Sequence, residues 1–190
     1  MKFLVVVDMQ NDFVDGSLGT KEAQSILPNV AEKIRAADRA GDQIFYTQDT
    51  HGADYLSTME GKKLPVPHCI EGTPGWELAP AVKAALEECD SENVTGLTKP
   101  TFGSTLLTAH LEKQSRLWGA PEEIEFIGLC TGICVLSNAI LTKADFCEFN
   151  ITVDAACCAC VTPKSHETAL DAMELCHIAV KNRGCEPWKQ

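Results

Sequence analysis

Gly128-Leu129-Cys130-Thr131-Gly132-Ile133-Cys134-Val135 is the stretch from which the rest of the chain can be read. It follows an apolar run, Ile124–Leu129, and precedes a helix-like stretch over residues 136–146. That order spells a buried strand, a tight turn and a helix start. Cys134 then falls near a helix N-terminus, where unpaired backbone N–H groups and the macrodipole favour negative charge. A thiol placed there ionises more easily, and the thiolate is the nucleophilic form. The alternative is a small core residue, because free cysteine is among the most buried types. The stretch alone does not choose between the two.

Outward from this unit, strands and helices alternate. Residues 2–7 form a continuous apolar run of β-branched character, the mark of a strand buried on both faces. It stops at Asp8. Residues 28–40 have helical spacing (Val30, Ile34, Ala37), with Pro28 in the first turn and Gly41 as the stop. A strand over 43–47 leads to Asp49-Thr50-His51. A long loop rich in proline and glycine runs over 52–75, and a loop of that length in a compact domain is usually functional. Helix is expected over 77–89, 106–114 and 163–175, and strand over 94–98, 150–154 and 177–180. The alternation predicts an α/β fold with a parallel sheet covered by helices on both faces. No repeat, low-complexity segment or linker divides the chain, so residues 1–190 read as one domain.

In such sheets ligands bind beyond the carboxyl ends of the strands. Asp8, Asp49, His51, Lys99 and Cys134 all fall at or just after an expected strand end. Reactive side chains from four separate strands therefore converge on one rim.

The chain has 190 residues, 45% of them hydrophobic and 23% charged, which fits one soluble domain with a sizeable core. Sixteen basic residues against 27 acidic give a net charge of −11. Such a surface repels phosphate backbones and anionic membranes, so neither nucleic acid nor membrane is expected as a partner. Met1 to Val7 is cut off by Asp8 without a small-residue cleavage site and reads as a strand rather than a leader. Ten cysteines in a chain of this length, with no leader, point to reduced thiols and a cytoplasmic setting. Cys157-Cys158-Ala159-Cys160 lacks the two separated pairs of a zinc site and reads as strand-end and core thiols. His110, His166 and His177 take packing or surface roles, with His166-Glu167 as capping or surface pairing at a helix start. No glycine-rich phosphate cradle is present, so no nucleotide cofactor is expected.

A thiol nucleophile needs a base. Asp8 is the best-placed one, a carboxylate at the end of a buried strand, where desolvation raises its pKa toward a useful range. Lys99 can pair with Asp8. Asp49-x-His51 and Pro67-His68 supply a carboxylate and two imidazoles, suited to zinc, iron or manganese, and Glu60 can add a fourth donor directly or through water. Each of these residues alone is more simply read as solvated. Together at one rim they are not.

Val7-Asp8-Met9-Gln10-Asn11-Asp12-Phe13, Asp49-Thr50-His51, Pro67-His68-Cys69-Ile70-x-Gly72-Thr73, Lys99-Pro100-x-Phe102 and Gly128-Leu129-Cys130-Thr131-x-x-Cys134-Val135 stand in the order of the isochorismatase-like cysteine hydrolases, and the metal-loop residues resemble the nicotinamidase branch. The resemblance covers nearly the whole chain. It implies a three-layer α/β/α sandwich around a parallel sheet of about six strands, and a triad of Asp8, Lys99 and Cys134. It implies a divalent metal, zinc first, held by Asp49, His51 and His68 with Glu60 in or near the shell. It implies a non-proline cis peptide before Cys130 that aims the N–H groups of Cys130 and Cys134 at an oxyanion. The reaction implied is hydrolysis of nicotinamide to nicotinate and ammonia through a cysteine thioester, in NAD salvage, by a protein that forms homo-oligomers. Two positions depart from the pattern. Gly132 stands where many members have an acidic residue. Pro65 stands where nicotinamidases usually place a ring-stacking aromatic, leaving Phe13 and Phe102 as candidate ring contacts. A sibling cysteine amidohydrolase for another small amide or carbamoyl compound is the alternative. A vinyl-ether-cleaving isochorismatase needs no thiol, and a silent scaffold needs no set of reactive residues at strand ends.

Overall fold

A computed structural model describes residues 1–189. Six strands form one fully parallel sheet: β1 (Phe3–Val7), β2 (Gln43–Asp49), β3 (Val94–Lys99), β4 (Ile124–Leu129), β5 (Ile151–Ala159) and β6 (Ala179–Lys181), in spatial order β3-β2-β1-β4-β5-β6. The order reverses between β1 and β4, so the rim beyond those two strands is the switch point where ligands bind in such sheets. Eight helices intervene: α1 (Asn11–Val14), α2 (Lys21–Ser25), α3 (Leu27–Arg39), α4 (Met59–Lys63), α5 (Pro80–Glu87), α6 (Thr105–Trp118), α7 (Leu136–Asp145) and α8 (Pro163–Leu175). No helix among the described residues is long and apolar enough to cross a membrane.

The period-2 geometry of β1 divides the core into two layers. Leu4 and Val6 pack with Val30 and Ile34 of α3 and Val82 of α5. Phe3, Val5 and Val7 pack with Leu107 of α6, Ala139 of α7 and Leu170 of α8 on the other face. All five residues of β1 are buried, which is why its sequence is apolar throughout rather than alternating. Gly128 is required where β4 meets β1: its φ is +114°, and a Cβ there would lie 2.2 Å from the Val7 carbonyl oxygen.

Four expectations about the elements change. The helix expected over 77–89 begins only at Pro80, because the preceding residues pair with the chain after β1: Asn11 N–H donates to Glu77 O at 2.9 Å and Ala79 N–H to Met9 O at 2.8 Å. Strand β5 runs on through Cys157 and Cys158, both buried. The long loop contains a 3-10 turn, Tyr55–Ser57, and the short α4, capped by Thr58, whose hydroxyl accepts Gly61 N–H at 3.0 Å. The last strand begins at Ala179, after His177 has turned into the left-handed region at φ 60°.

The opposite rim is tied by charge. Glu123 is buried just before β4. Lys2 Nζ lies 2.8 Å away, Lys181 Nζ pairs with it, and the Thr152 hydroxyl donates to it at 2.7 Å. Burial opposes ionisation of Glu123, yet these donors outweigh it and hold its pKa down at about 2. A carboxyl depressed on folding stabilises the protein above its ordinary value of 4.5, and that stabilisation is lost as pH falls toward about 2. Glu123→Gln is therefore expected to melt below wild type at pH 7, with the gap in thermal midpoint closing between pH 4.5 and 2. A gap of constant size across that window in calorimetry would remove Glu123 from the tie.

Candidate active site

Asp8 follows directly on β1 with φ 47°, a left-handed conformation that aspartate tolerates better than most residues. Its amide donates to the Thr47 carbonyl at 3.1 Å, and the Thr47 hydroxyl donates to Asp8 Oδ1 at 2.6 Å. Lys99, the last residue of β3, reaches across β2 to place Nζ 2.6 Å from Asp8 Oδ2 and 3.6 Å from Asp49 Oδ1, and donates to Thr101 O at 3.0 Å. Both side chains are essentially inaccessible, at 0% and 1% exposure. Such an ion pair is little screened by solvent, so its charges act strongly on what lies beside it.

What lies beside it is Cys134, whose thiol is close enough to feel the charges of both Asp8 and Lys99. The Leu129–Cys130 peptide is cis. After it, residues Thr131–Val135 make one wide helical turn that runs into α7. The N–H groups of Ile133 and Val135 both donate to Cys130 O, at 3.0 and 3.2 Å. Asn138 clasps the far end of the turn: its Nδ2 donates to Cys134 O at 2.8 Å and to Phe102 O at 3.1 Å, while its Oδ1 accepts Ser104 N–H at 2.9 Å. One buried amide thus fixes the nucleophile turn against the loop that follows Lys99.

Cys134 differs from the expectation in one respect. Burial, then the Asp8 carboxylate, push its thiol well above the usual thiol range, and Lys99 offsets only part of this. Burial and the neighbouring carboxylate thus favour the neutral thiol as the resting group. Burial also raises the Asp8 carboxyl above the usual carboxylate range, against the pull of Lys99. Burial opposes the Lys99 ammonium, but the Asp8 and Asp49 carboxylates more than offset it and keep it charged. A raised carboxyl beside a raised thiol is an arrangement in which one proton moves between the two without leaving the site.

The second cluster comes from the end of β2 and the loop after it. Asp49 Oδ2 lies 2.9 Å from His51 Nε2 and 3.5 Å from His68 Nε2, and Glu60 Oε1 lies 3.7 Å from each of those nitrogens. His68 Nδ1 donates to Val66 O at 2.8 Å, which leaves the lone pair on Nε2 facing the cluster. Glu60 Oε1 is buried with no hydrogen-bond partner. The four ligand atoms lie within 4.8 Å of one another. Bonds of about 2.0–2.1 Å around a tetrahedral zinc put ligand atoms about 3.3 Å apart, so these separations fit a divalent cation in the middle. Burial opposes ionisation of Asp49, yet the two imidazoles and Lys99 hold its carboxyl well below the ordinary range.

Residues that the sequence did not single out hold this cluster. Gln10 Nε2 donates to Asp49 O at 2.8 Å and to Trp76 O at 2.9 Å, and its Oε1 accepts Asp49 N–H at 2.7 Å. Its side chain acts as one more rung of sheet beyond the end of β1. The Tyr55 ring packs against both histidines, at 4.8 and 4.9 Å between centroids. Asp12 Oδ2 accepts Cys69 N–H at 2.8 Å, anchoring the loop next to His68.

A cavity of about 240 Å³ joins the two clusters. Cys130 and Cys134 line one part of its wall and Asp49, Glu60 and His68 another, with Phe13, Phe102, Leu18, Leu64, Ile133 and Val161 between. Its size is below the roughly 300–1,000 Å³ of sites for drug-sized ligands, so it suits a molecule of about one ring. Asp8, Lys99 and His51 stand behind the wall. Pro65 is exposed, and its neighbour Leu64 takes the wall instead. A Cβ on Gly132 would meet Ala169 Cβ at 3.3 Å and Cys160 Sγ at 3.4 Å, so a side chain at this departure would point at α8 and not into the cavity. Of the packing and surface roles open to His166, the structure gives it packing: it is wholly buried.

The family model described as the isochorismatase domain matches residues 2–182. A Mycobacterium tuberculosis protein described as nicotinamidase/pyrazinamidase is 30% identical over 73% of this chain and 77% of its own. An Arabidopsis thaliana protein described as "Probable inactive nicotinamidase" is 27% identical over 98% of this chain and 94% of its own. The crystal structure of nicotinamidase/pyrazinamidase from Bacillus subtilis superposes with a TM-score of 0.83 at 26% identity, covering 95% of this chain and 99% of that one. The pyrazinamidase of Pyrococcus horikoshii, solved in complex with zinc, gives 0.71 at 26% identity, covering 94% and 97%.

Proposed function

The chain belongs to the isochorismatase domain family, and on that premise we propose that it hydrolyses nicotinamide to nicotinate and ammonia through a thioester on Cys134, as a step of NAD salvage. The observation that carries this reading is the shared cavity, with the Cys134 thiol at one part of its wall, the buried Asp8–Lys99 pair behind it, and a convergent His/carboxylate cluster at another part. The descriptions of the Mycobacterium tuberculosis and Bacillus subtilis proteins support it, while the Arabidopsis thaliana relative is described as inactive.

Asp8 takes the thiol proton, and the Lys99 ammonium keeps the new charge distribution compact. The Cys134 sulfur attacks the carboxamide carbon. The N–H groups of Cys130 and Cys134 are the donors assigned to the oxyanion; losing one such donor costs about 10²–10³ in rate. The C–N bond breaks, and ammonia leaves with the proton held by Asp8. Asp8 then takes a proton from water, whose oxygen attacks the thioester; the C–S bond breaks, and the freed sulfur takes that proton back from Asp8. Phe13 and Phe102 bound the ring, and the absence of charge on the rest of the wall favours a neutral aromatic amide.

Asp49, His51 and His68, with Glu60, are the residues that would hold a divalent cation, zinc being the best match to two imidazoles and carboxylates. Such a cation supplies a Lewis-acid site for a ring nitrogen. His51→Ala is expected to lower metal affinity by more than the about 10–100-fold typical of losing an outer partner, and to raise KM more than it lowers kcat. Elemental analysis after dialysis checks it; unchanged metal content would remove the ligand assignment.

A sibling reading, hydrolysis of a different small amide, is favoured by one observation: Leu64, not an aromatic, lines the cavity beside Pro65. An ammonia-release screen over nicotinamide, pyrazinamide and aliphatic amides decides. Preference for the two ring amides is expected. Turnover of an aliphatic amide with nicotinamide untouched would transfer the assignment to the sibling.

A further inference from the structure

A second polar chain runs through the interior on the side of the nucleophile turn away from Asp8. Thr131, the first residue of that turn, is 0% exposed, and its hydroxyl lies 2.8 Å from His166 Nδ1. His166 Nε2 lies 3.3 Å from Glu186 Oε1, and Lys189 Nζ lies 2.9 Å from Glu186 Oε2. The Trp188 ring closes over the imidazole edge-on at 5.2 Å. A carboxylate only accepts, so His166 donates from Nε2, and its bare Nδ1 accepts the Thr131 O–H. Burial holds His166 below its ordinary pKa against the pull of Glu186, which keeps the ring neutral and this pattern intact.

His166, Glu167 and Glu186 also lie close enough to bind a metal. The Lys189 ammonium already pairs with both carboxylates, so the charge a cation would supply is present. Hydrophobic side chains would fill this space with less desolvation. A polar chain linked from Thr131 through His166 to Glu186 instead fixes one orientation of what it holds. What it holds is the residue between the cis peptide and Cys134, whose other end is clasped by Asn138.

We propose that His166 and Glu186 are positioning residues for the reaction: acting through the Thr131 hydroxyl, they set the angle of the turn that presents the Cys134 sulfur and the N–H groups beside it. The proposal rests on the amide-hydrolysis reading. It makes the segment after β6 part of the device that aims the nucleophile, although it touches no substrate.

The test compares Thr131→Val, Thr131→Ser, His166→Asn and Glu186→Ala with wild type. It reads kcat and KM for nicotinamide, the rate at which iodoacetamide labels the Cys134 peptide, and the thermal midpoint. Misaiming by an ångström costs up to about 100-fold, so Thr131→Val is expected to lose about 10–100-fold in kcat with KM within about threefold, and to slow Cys134 labelling in parallel. Thr131→Ser restores both, and His166→Asn, which keeps an acceptor near the Nδ1 position, falls less than Thr131→Val. A lower midpoint with kcat and labelling unchanged would overturn the proposal, as would a change confined to KM. If Thr131→Val does not fold, Glu186→Ala decides by the same readouts, and wild-type values there overturn it. If wild type releases ammonia from no amide, the activity reading fails, and the labelling rates alone judge the positioning role.

Discussion

Cys134→Ala is expected to lose ammonia release from nicotinamide by about 10⁴-fold or more while remaining folded, because removing the nucleophile of such a set leaves only binding and oxyanion contacts. The substitution removes one sulfur from a buried site and strands no charge, since the resting group is a neutral thiol. A cost of about 1 kcal/mol lowers the midpoint of a domain this size by about 2–4 °C. Activity and calorimetry on the same preparation therefore separate chemistry from folding. Near wild-type activity would rule out the thiol.

Asp8→Asn is expected to do damage on both counts. Loss of the base alone costs about 10²–10⁴ in rate. The substitution also leaves the Lys99 ammonium buried beside a neutral amide, and breaking one side of a buried pair costs about 3–5 kcal/mol. Asp49 Oδ1, 3.6 Å from Lys99 Nζ, remains as a second partner, which places the cost at the low end. That predicts a midpoint lower by about 6–12 °C. A fall in midpoint with activity kept would make Asp8 a structural counter-ion only. In wild type the carboxyl must be ionised to accept the proton, and burial has raised its pKa. The acid limb of kcat/KM is therefore expected above the ordinary aspartate value of about 3.9.

The sequence makes the frame legible for physical reasons. A strand buried on both faces must be apolar throughout, so residues 3–7 announce themselves, and Asp8 marks their end. Strand ends then locate the rim, and Asp49, Lys99 and Cys134 lie on it. The clamps were not legible. Thr47, Gln10 and Asn138 work largely through hydrogen bonds to groups 34 to 66 residues away, and no local pattern encodes those. The sequence leaves His166 open between packing and surface for the same reason: its two partners lie 35 and 20 residues off. Helical spacing over 77–79 was overridden by pairing with the chain after β1. The depth at which Cys134 is buried is likewise invisible in sequence, and burial and the Asp8 carboxylate push its thiol up, against the direction in which a helix start acts.

The most direct measurement is an acid quench of the first turnover of nicotinamide, followed by peptide mass analysis. The account predicts a burst of ammonia and a nicotinoyl group on the peptide carrying Cys134. Ammonia released with Cys134 never acylated would contradict it.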